Sequence, residues 1–269
     1  MDAAVSKNGR RALRLFFVLV VAFLYAPLVI LLIFSFNKSQ LPTFPLSGFT
    51  LHWYHEFLTN GDLRSALRAS AIVAALSSVG AVALGILAST ALTRRRFRGK
   101  ALVSALLLAP LVIPLVVLGV SLLLLFHTIG IPLSLLTVTI GHIVITVPYT
   151  ILVLVPRLEQ IDVALEEAAY DLFASRLVTF RTVTLPLIWP AVLSAFLIAF
   201  TTSFDEYAVA SFVVGSQPTF PIFLYSALRF PDNLPQVIAV AVVVLTASLL
   251  VIGGAEVLRR RIEARLEAA

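Results

Sequence analysis

The stretch VALEEAAYDLFASRLVTFRTVTLP, Val163–Pro186, sets three acidic and two basic side chains between two runs, Leu133–Val155 and Leu187–Phe204, that contain no Asp, Glu, Lys or Arg. Each flanking run is long enough to cross a bilayer as a helix, at about 1.5 Å of rise per residue against a hydrocarbon core of about 30 Å. A charged segment held between two such runs reads as a solvent-side loop of a membrane protein. Working outward, similar runs appear at Leu15–Phe36, Ser70–Leu92, Ala101–Phe126 and Val237–Leu258, the last with Glu256 as its single charge. Six runs predict an all-α, polytopic membrane protein with six transmembrane helices, a single domain over residues 1–269, and a loop over 156–186.

Composition agrees with a lipid solvent. Of 269 residues, 60% are hydrophobic and 13% charged, and the mean hydropathy is +1.03, well away from the balance of a water-soluble domain. Cysteine is absent, so a disulfide framework, a thiolate metal site and a cysteine nucleophile are all excluded. The net charge of +6 would suit a nucleic-acid partner, but its placement argues otherwise. Lys7, Arg10, Arg11 and Arg14 precede the first run, and Arg94, Arg95, Arg96, Arg98 and Lys100 follow the second. Arg157, Arg176 and Arg181 follow the fourth, and Arg259, Arg260, Arg261 and Arg265 follow the sixth. Only Lys38, Arg64, Arg68 and Arg229 fall on the other side. The asymmetry obeys the positive-inside rule, with both termini and the 156–186 loop cytoplasmic, and leaves no need for nucleic acid. The first run lacks a small-x-small cleavage pattern before Asn37 and reads as a retained anchor.

Within the charged loop, Asp162 is placed to cap a helix whose apolar positions, Leu165, Ala168, Ala169 and Leu172, recur at helical spacing. Ser175 offers a second cap ahead of Leu177, Val178 and Val183, and Pro186 closes the element. The loop therefore reads as helix, turn, helix. On spacing alone it suits either a knob seated in a partner's groove or a helix lying on the membrane surface.

In the outer segment after the first run, His52, Trp53, Tyr54, His55 and Phe57 suit a helix at the membrane–water interface. His52 and His55 share a face at i, i+3, but Glu56 is the only nearby third ligand and lies off that stripe, so no metal is expected. Pro110 and Pro114 in the third run and Pro148 in the fourth predict bends, either between packed helices or along a translocation path. Asp205 and Glu206 form the one acidic pair beside a span on the outer side, with Ser203 before them and Tyr207 after. Ionisable groups at such depth face a bundle interior or a water-filled path, or else lie solvated among the outer headgroups or paired with Arg229 or Arg68; on the first reading Ser203, Asp205, Glu206, Tyr207, Pro114 and His142 are candidate path residues. His142, alone in mid-span, also suits an interhelical hydrogen bond.

No enzyme is expected: the chain has no GxxxxGK[ST] phosphate loop, no HExxH zinc pattern and no GxSxG elbow. A self-sufficient secondary transporter or channel is the rival reading, but it calls for mid-membrane ionisable groups and an internal repeat that the sequence does not display.

Glu167-Ala168-Ala169, followed by Leu185-Pro186, resembles the EAA loop of permease subunits of bacterial ABC importers. Further similarity runs through Trp53-Tyr54, Asn60, Leu63, Ala66-Leu67 and Ser70, then Gly141-His142, Pro148-Tyr149 and Arg157-Leu158. It continues through Ser203-Phe204-Asp205-Glu206, Ala210-Ser211-Phe212 and Gly215. The pattern is most similar to the spermidine/putrescine-type permeases and covers nearly the whole chain. The resemblance implies a type I importer permease fold in a bacterial inner membrane and a cytoplasmic coupling helix that docks on a separate ATP-hydrolysing subunit. The residues it assigns to that contact are Glu166, Glu167, Ala168, Ala169, Asp171, Phe173, Ala174 and Ser175. It also implies a homologous permease partner, forming a heterodimer, an extracytoplasmic solute-binding protein, and ATP and magnesium held on the partner rather than on this chain. The solute implied is a small organic molecule: a polyamine, a related amine or an amino-acid derivative.

Two departures stand out. Phe173 occupies the turn position where the family usually has glycine, so either the turn differs or the ring adds a contact to the partner. Leu115 follows Pro114 where polyamine permeases often carry an acidic residue, which weakens the case for a polycation.

Overall fold

A computed structural model of the protein describes residues 7–267. In chain order its helices are α1 (Lys7–Phe34), α2 (His52–Thr59), α3 (Gly61–Arg94), α4 (Lys100–Leu108), α5 (Leu115–Thr128) and α6 (Leu135–Glu159). They continue as α7 (Val163–Asp171), α8 (Arg176–Thr179), α9 (Leu185–Phe204), α10 (Ala210–Val213), α11 (Phe220–Ala227) and α12 (Leu234–Glu267). The only β pairing among the described residues is an isolated bridge between Asn37 and Phe49. The chain forms two compact units, one containing the residues up to Asn60 with Ser226–Ala247, the other Gly61–Tyr225 and the residues from Ser248.

In the first unit, α1 shows apolar side chains on every face: Leu15, Phe16, Phe17, Phe23 and Leu24 are all exposed. A helix apolar all round needs cover on every face, from lipid or from other protein. Beyond it the loop is pinned by Asn37, whose side-chain oxygen accepts from the Ser47 N–H at 3.0 Å and whose carbonyl accepts from Trp53 Nε1 at 2.8 Å. Trp53 is thus turned inward, whereas the sequence suggested a ring lying in the membrane interface. Its indole N–H needs an acceptor, and the carbonyl of Asn37 supplies one. His52 and Glu56 pair at 3.9 Å on the exposed side of α2, and the described residues contain no cluster of three metal-ligating side chains.

The second unit is organised around α3, α6 and α9, each packed against the other two. Small side chains along α3, including Ala66, Ser70, Ala74, Ser77 and Ala81, are buried and let these helices approach closely. Gly85 marks the closest approach, since a Cβ there would overlap the Thr150 hydroxyl. That hydroxyl in turn donates to the Ala81 carbonyl at 3.1 Å. Below this seam Leu154, Leu158, Ile188 and Ala195 fill the interior, and Arg157 ties α6 to α9 by donating from Nη2 to the Leu187 carbonyl at 3.0 Å.

Of the six expected spans, four are single helices long and apolar enough to cross among the described residues, and a bent pair makes a fifth. Gly9–Phe34, Gly61–Arg94, Leu135–Glu159 and Arg176–Phe204 are each long and apolar enough to cross. The third run is not one helix: Lys100–Leu111 and Leu115–Thr128 meet at 102°. Pro110 and Pro114 remove two donors within one turn, so the helical ladder fails there and the chain folds back sharply. The fifth span starts earlier than expected, because α8 runs without interruption through a π-turn at Phe180–Thr184 into α9. Pro186 cannot donate to the carbonyl four residues back, and the turn widens so that the Leu185 N–H reaches Phe180 instead. The sixth window lies in α12, where Leu234–Leu250 is apolar; beyond it, most side chains, including Glu256 and the C-terminal arginines, lie outside the described residues.

Candidate functional site

Two places in the second unit gather the residues singled out by sequence. The first is the α7–α8 element. Asp162 caps α7, its side chain accepting from the Ala164 N–H at 3.0 Å, and Ser175 caps α8, accepting from Val178 at 3.4 Å. Helix, turn, helix is therefore what forms, with both caps as the sequence placed them.

Between the two helices the turn satisfies its orphan carbonyls in the Schellman manner. Ala174 N–H donates to the Ala169 carbonyl at 3.0 Å and Phe173 N–H to Tyr170 at 2.9 Å. That pattern needs a left-handed residue at Phe173, and its φ is 60°. The backbone is thus the one glycine favours, held by a residue with a Cβ at a cost of about 1–2 kcal/mol. Phe173 is 98% exposed, so the turn's backbone bonds hold that strain and packing of the side chain adds nothing to offset it.

Glu166 was grouped with the partner-facing residues, but it points the other way. It is buried, its Oε1 lying 3.1 Å from Arg94 Nε and accepting from Thr184 Oγ1 at 3.0 Å. Arg94 also donates from Nη2 to the Ile161 carbonyl at 3.3 Å. A carboxylate one residue from Glu167 must lie about 100° round the helix, so the two cannot share a face. Glu166 fastens the rear of α7 to the end of α3 and to the π-turn. Glu167, Ala168, Asp171, Phe173 and Ser175 are exposed, while Ala169 and Ala174 are half-buried. Arg94 and Thr184 were missed by sequence reasoning: Arg94 counted only as a topological charge, and nothing local marks Thr184.

The second place lies where α9 ends. Glu206 is buried and accepts from the Val209 N–H at 2.8 Å and the Ala210 N–H at 2.9 Å, capping α10. His142 Nε2 lies 3.1 Å from Oε2, the oxygen that also accepts from Ala210, and His142 Nδ1 lies 2.7 Å from Ser203 Oγ. Ser77 Oγ then donates to Ser203 Oγ at 2.8 Å. One direction of donation satisfies the whole chain: Ser77 to Ser203, Ser203 to Nδ1, and Nε2–H to the carboxylate. Burial pushes the Glu206 carboxyl, just past the end of the span, upward, but the bonds from His142, Val209 and Ala210 outweigh it and hold the group below its ordinary value.

The far end of α10 is held as well, because Thr137 Oγ1 donates to the Val213 carbonyl at 2.7 Å. Gly141 leaves room for Val209 to lie against α6. Glu206, His142 and Ser203 are accordingly internal bracing and not an open surface, which corrects their expected place along a path. A carboxylate with three bonding partners is far cheaper to bury than one waiting for solute. Asp205, Tyr207 and Pro114 are exposed, and the Tyr207 ring packs on Tyr225 with centroids 4.7 Å apart.

A family model described as a binding-protein-dependent transport system inner membrane component matches residues 81–264. The chain is 41% identical over 233 residues to the putrescine transport system permease protein PotI of Escherichia coli K12, covering 84% of this chain and 82% of that protein. It is 36% identical over 246 residues to the spermidine/putrescine transport system permease protein PotC of the same organism, covering 91% and 92%. Among solved structures, a bacterial ABC transporter involved in the import of the acidic polysaccharide alginate shares the fold, with a TM-score of 0.73 at 15% identity, covering 93% of this chain and 97% of that one. The MetNI methionine ABC transporter, in inward-facing conformations, matches with a TM-score of 0.61 at 17% identity, covering 74% and 95%. The family match spans the α7–α8 element and, within the buried polar chain, His142, Ser203 and Glu206, and the two permease relatives cover 84% and 91% of the sequence: this protein belongs to the binding-protein-dependent transport system inner membrane components.

Proposed function

We propose that this permease subunit forms part of the path by which a small amine of the polyamine class enters a bacterial cell, and that α7 and α8 are the knob through which a separate ATP-hydrolysing subunit drives it. The α7–α8 element carries the reading. Its rear is fastened by Glu166 to Arg94 and Thr184, while Glu167, Ala168, Asp171, Leu172 and Phe173 face outward. An element stiff on one side and open on the other passes a partner's movement to α3 and α9 without absorbing it, as coupling between two states requires.

All 269 residues act as one permease domain in this scheme, spanning the inner membrane with both termini cytoplasmic. A homologous permease subunit and an extracytoplasmic solute-binding protein complete the assembly, and the partner ATPase holds ATP and magnesium. The polyamine assignment draws on the putrescine and spermidine relatives. Asp205, Tyr207 and Pro114 are the exposed candidates along the path, and His142, Ser203 and Glu206 brace the wall behind them.

Proteoliposomes containing the full assembly test this by uptake of labelled putrescine on addition of ATP. Glu167→Lys and Ala168→Trp are expected to reduce uptake to background while membrane insertion stays intact. Wild-type uptake by Glu167→Lys would remove the role given to the knob. The subunit reconstituted alone, without nucleotide, should pass no putrescine; flux there would favour a self-sufficient transporter.

A further inference from the structure

Phe173 combines two features that are unfavourable in the isolated chain. Its backbone is left-handed, with φ of 60°, and its ring is 98% exposed beside Leu172, itself 82% exposed. A residue held in a sparsely populated conformation with its apolar side chain in solvent points to a contact made outside the chain. The Schellman bonds from Phe173 and Ala174 fix the turn, and Glu166 fixes the helix behind it, so the ring projects from a rigid tip.

The surroundings select the kind of partner. Glu167 and Asp171 are exposed on α7, the helix leading to the tip, and a side chain meant for an anionic membrane surface would be led by lysine or arginine instead. Arg176 and Arg181 lie beyond the turn, on the side of α8. An apolar tip approached through carboxylates suits a protein recess with a basic rim.

We infer that Phe173 is a specificity-determining contact that seats in an apolar, basic-rimmed recess of the ATP-hydrolysing subunit, trading stability of the free permease for affinity in the complex. The inference rests on the coupling role proposed above and adds the residue that selects the partner.

The test uses the full-length chain in phosphatidylcholine nanodiscs and the ATP-hydrolysing subunit that co-purifies with it. Phe173→Gly relieves the strain and removes the ring, so it should raise the melting midpoint of the free permease by about 2–4 °C and weaken binding of the ATPase by roughly 10- to 100-fold. Phe173→Ala removes the ring but keeps a Cβ at the left-handed position, so it should show the binding loss without the rise in midpoint. Phe173→Trp should report the seat directly, its emission shifting to the blue only when the ATPase subunit is added.

Unchanged affinity in Phe173→Ala overturns the inference and leaves the coupling role standing. A blue shift of Phe173→Trp in nanodiscs containing phosphatidylglycerol, before any ATPase is added, overturns it in favour of a lipid anchor. If no ATP-hydrolysing subunit co-purifies with the wild type, the coupling role itself is lost.

Discussion

At the scale of single residues, Glu206 gathers an imidazole from α6 and two N–H groups from the start of α10 around one carboxylate. Replacing it with Ala would strand those donors inside the protein, each unpaired group costing about 1–3 kcal/mol. Glu206→Ala is expected to lower the melting midpoint in detergent by several degrees, and Glu206→Gln, which keeps one acceptor oxygen, by less. Equal midpoints for Glu206→Ala and wild type would show that the bracing is idle. The sequence marked His142 as an interhelical hydrogen-bonder, and it is one. Its neighbours were beyond reach, since Ser77 meets Ser203 across 126 positions and no local pattern encodes that meeting. Phe173 is the reverse case: the turn position was legible, but whether the backbone would stay left-handed under a phenylalanine depended on the bonds around it.

At the scale of elements, the clamp behind α7 decides whether the knob behaves as a rigid body. Arg94 and Glu166 are largely withdrawn from solvent, and breaking a buried pair by removing one partner costs about 3–5 kcal/mol. Arg94→Ala should therefore free α7 while sparing α6. Hydrogen exchange of the α7 amides is expected to accelerate by at least about tenfold, with α6 unchanged. Slow exchange in α7 of that variant would mean that something other than the ion pair holds the helix. The two caps of this element, Asp162 and Ser175, were legible because capping depends on residues two or three positions apart. The inward turn of Glu166 was not, because its partners come from the end of α3 and from the π-turn. In the third run, the prolines announced a bend, and its angle of 102° was not legible from them.

At the scale of the whole molecule, the distribution of lysine and arginine predicts how the chain sits in the membrane. The absence of native cysteine makes single-cysteine labelling unambiguous. Ser175→Cys should react with an impermeant maleimide only after the cytoplasmic side is opened, and Thr43→Cys should react from outside in intact cells. Reversal of those two results would invert the proposed topology and detach the α7–α8 knob from any cytoplasmic partner.

The amino-acid sequence alone determined the helical membrane character, the places of the apolar runs, the charge asymmetry and the helix–turn–helix between Asp162 and Pro186. These rest on hydropathy, spacing and capping among contiguous residues, and each residue contributes to them whatever lies across the fold. Only the tertiary structure decided that Glu166 and Glu206 are internal braces, that α8 passes into α9 through a π-turn, and that Phe173 stands exposed on a left-handed backbone. For the two braces the reason is which distant groups come within hydrogen-bonding distance as α3, α6 and α9 pack; for the π-turn and the Phe173 turn it is the backbone bonds the chain closes locally, a choice that residue types alone leave open.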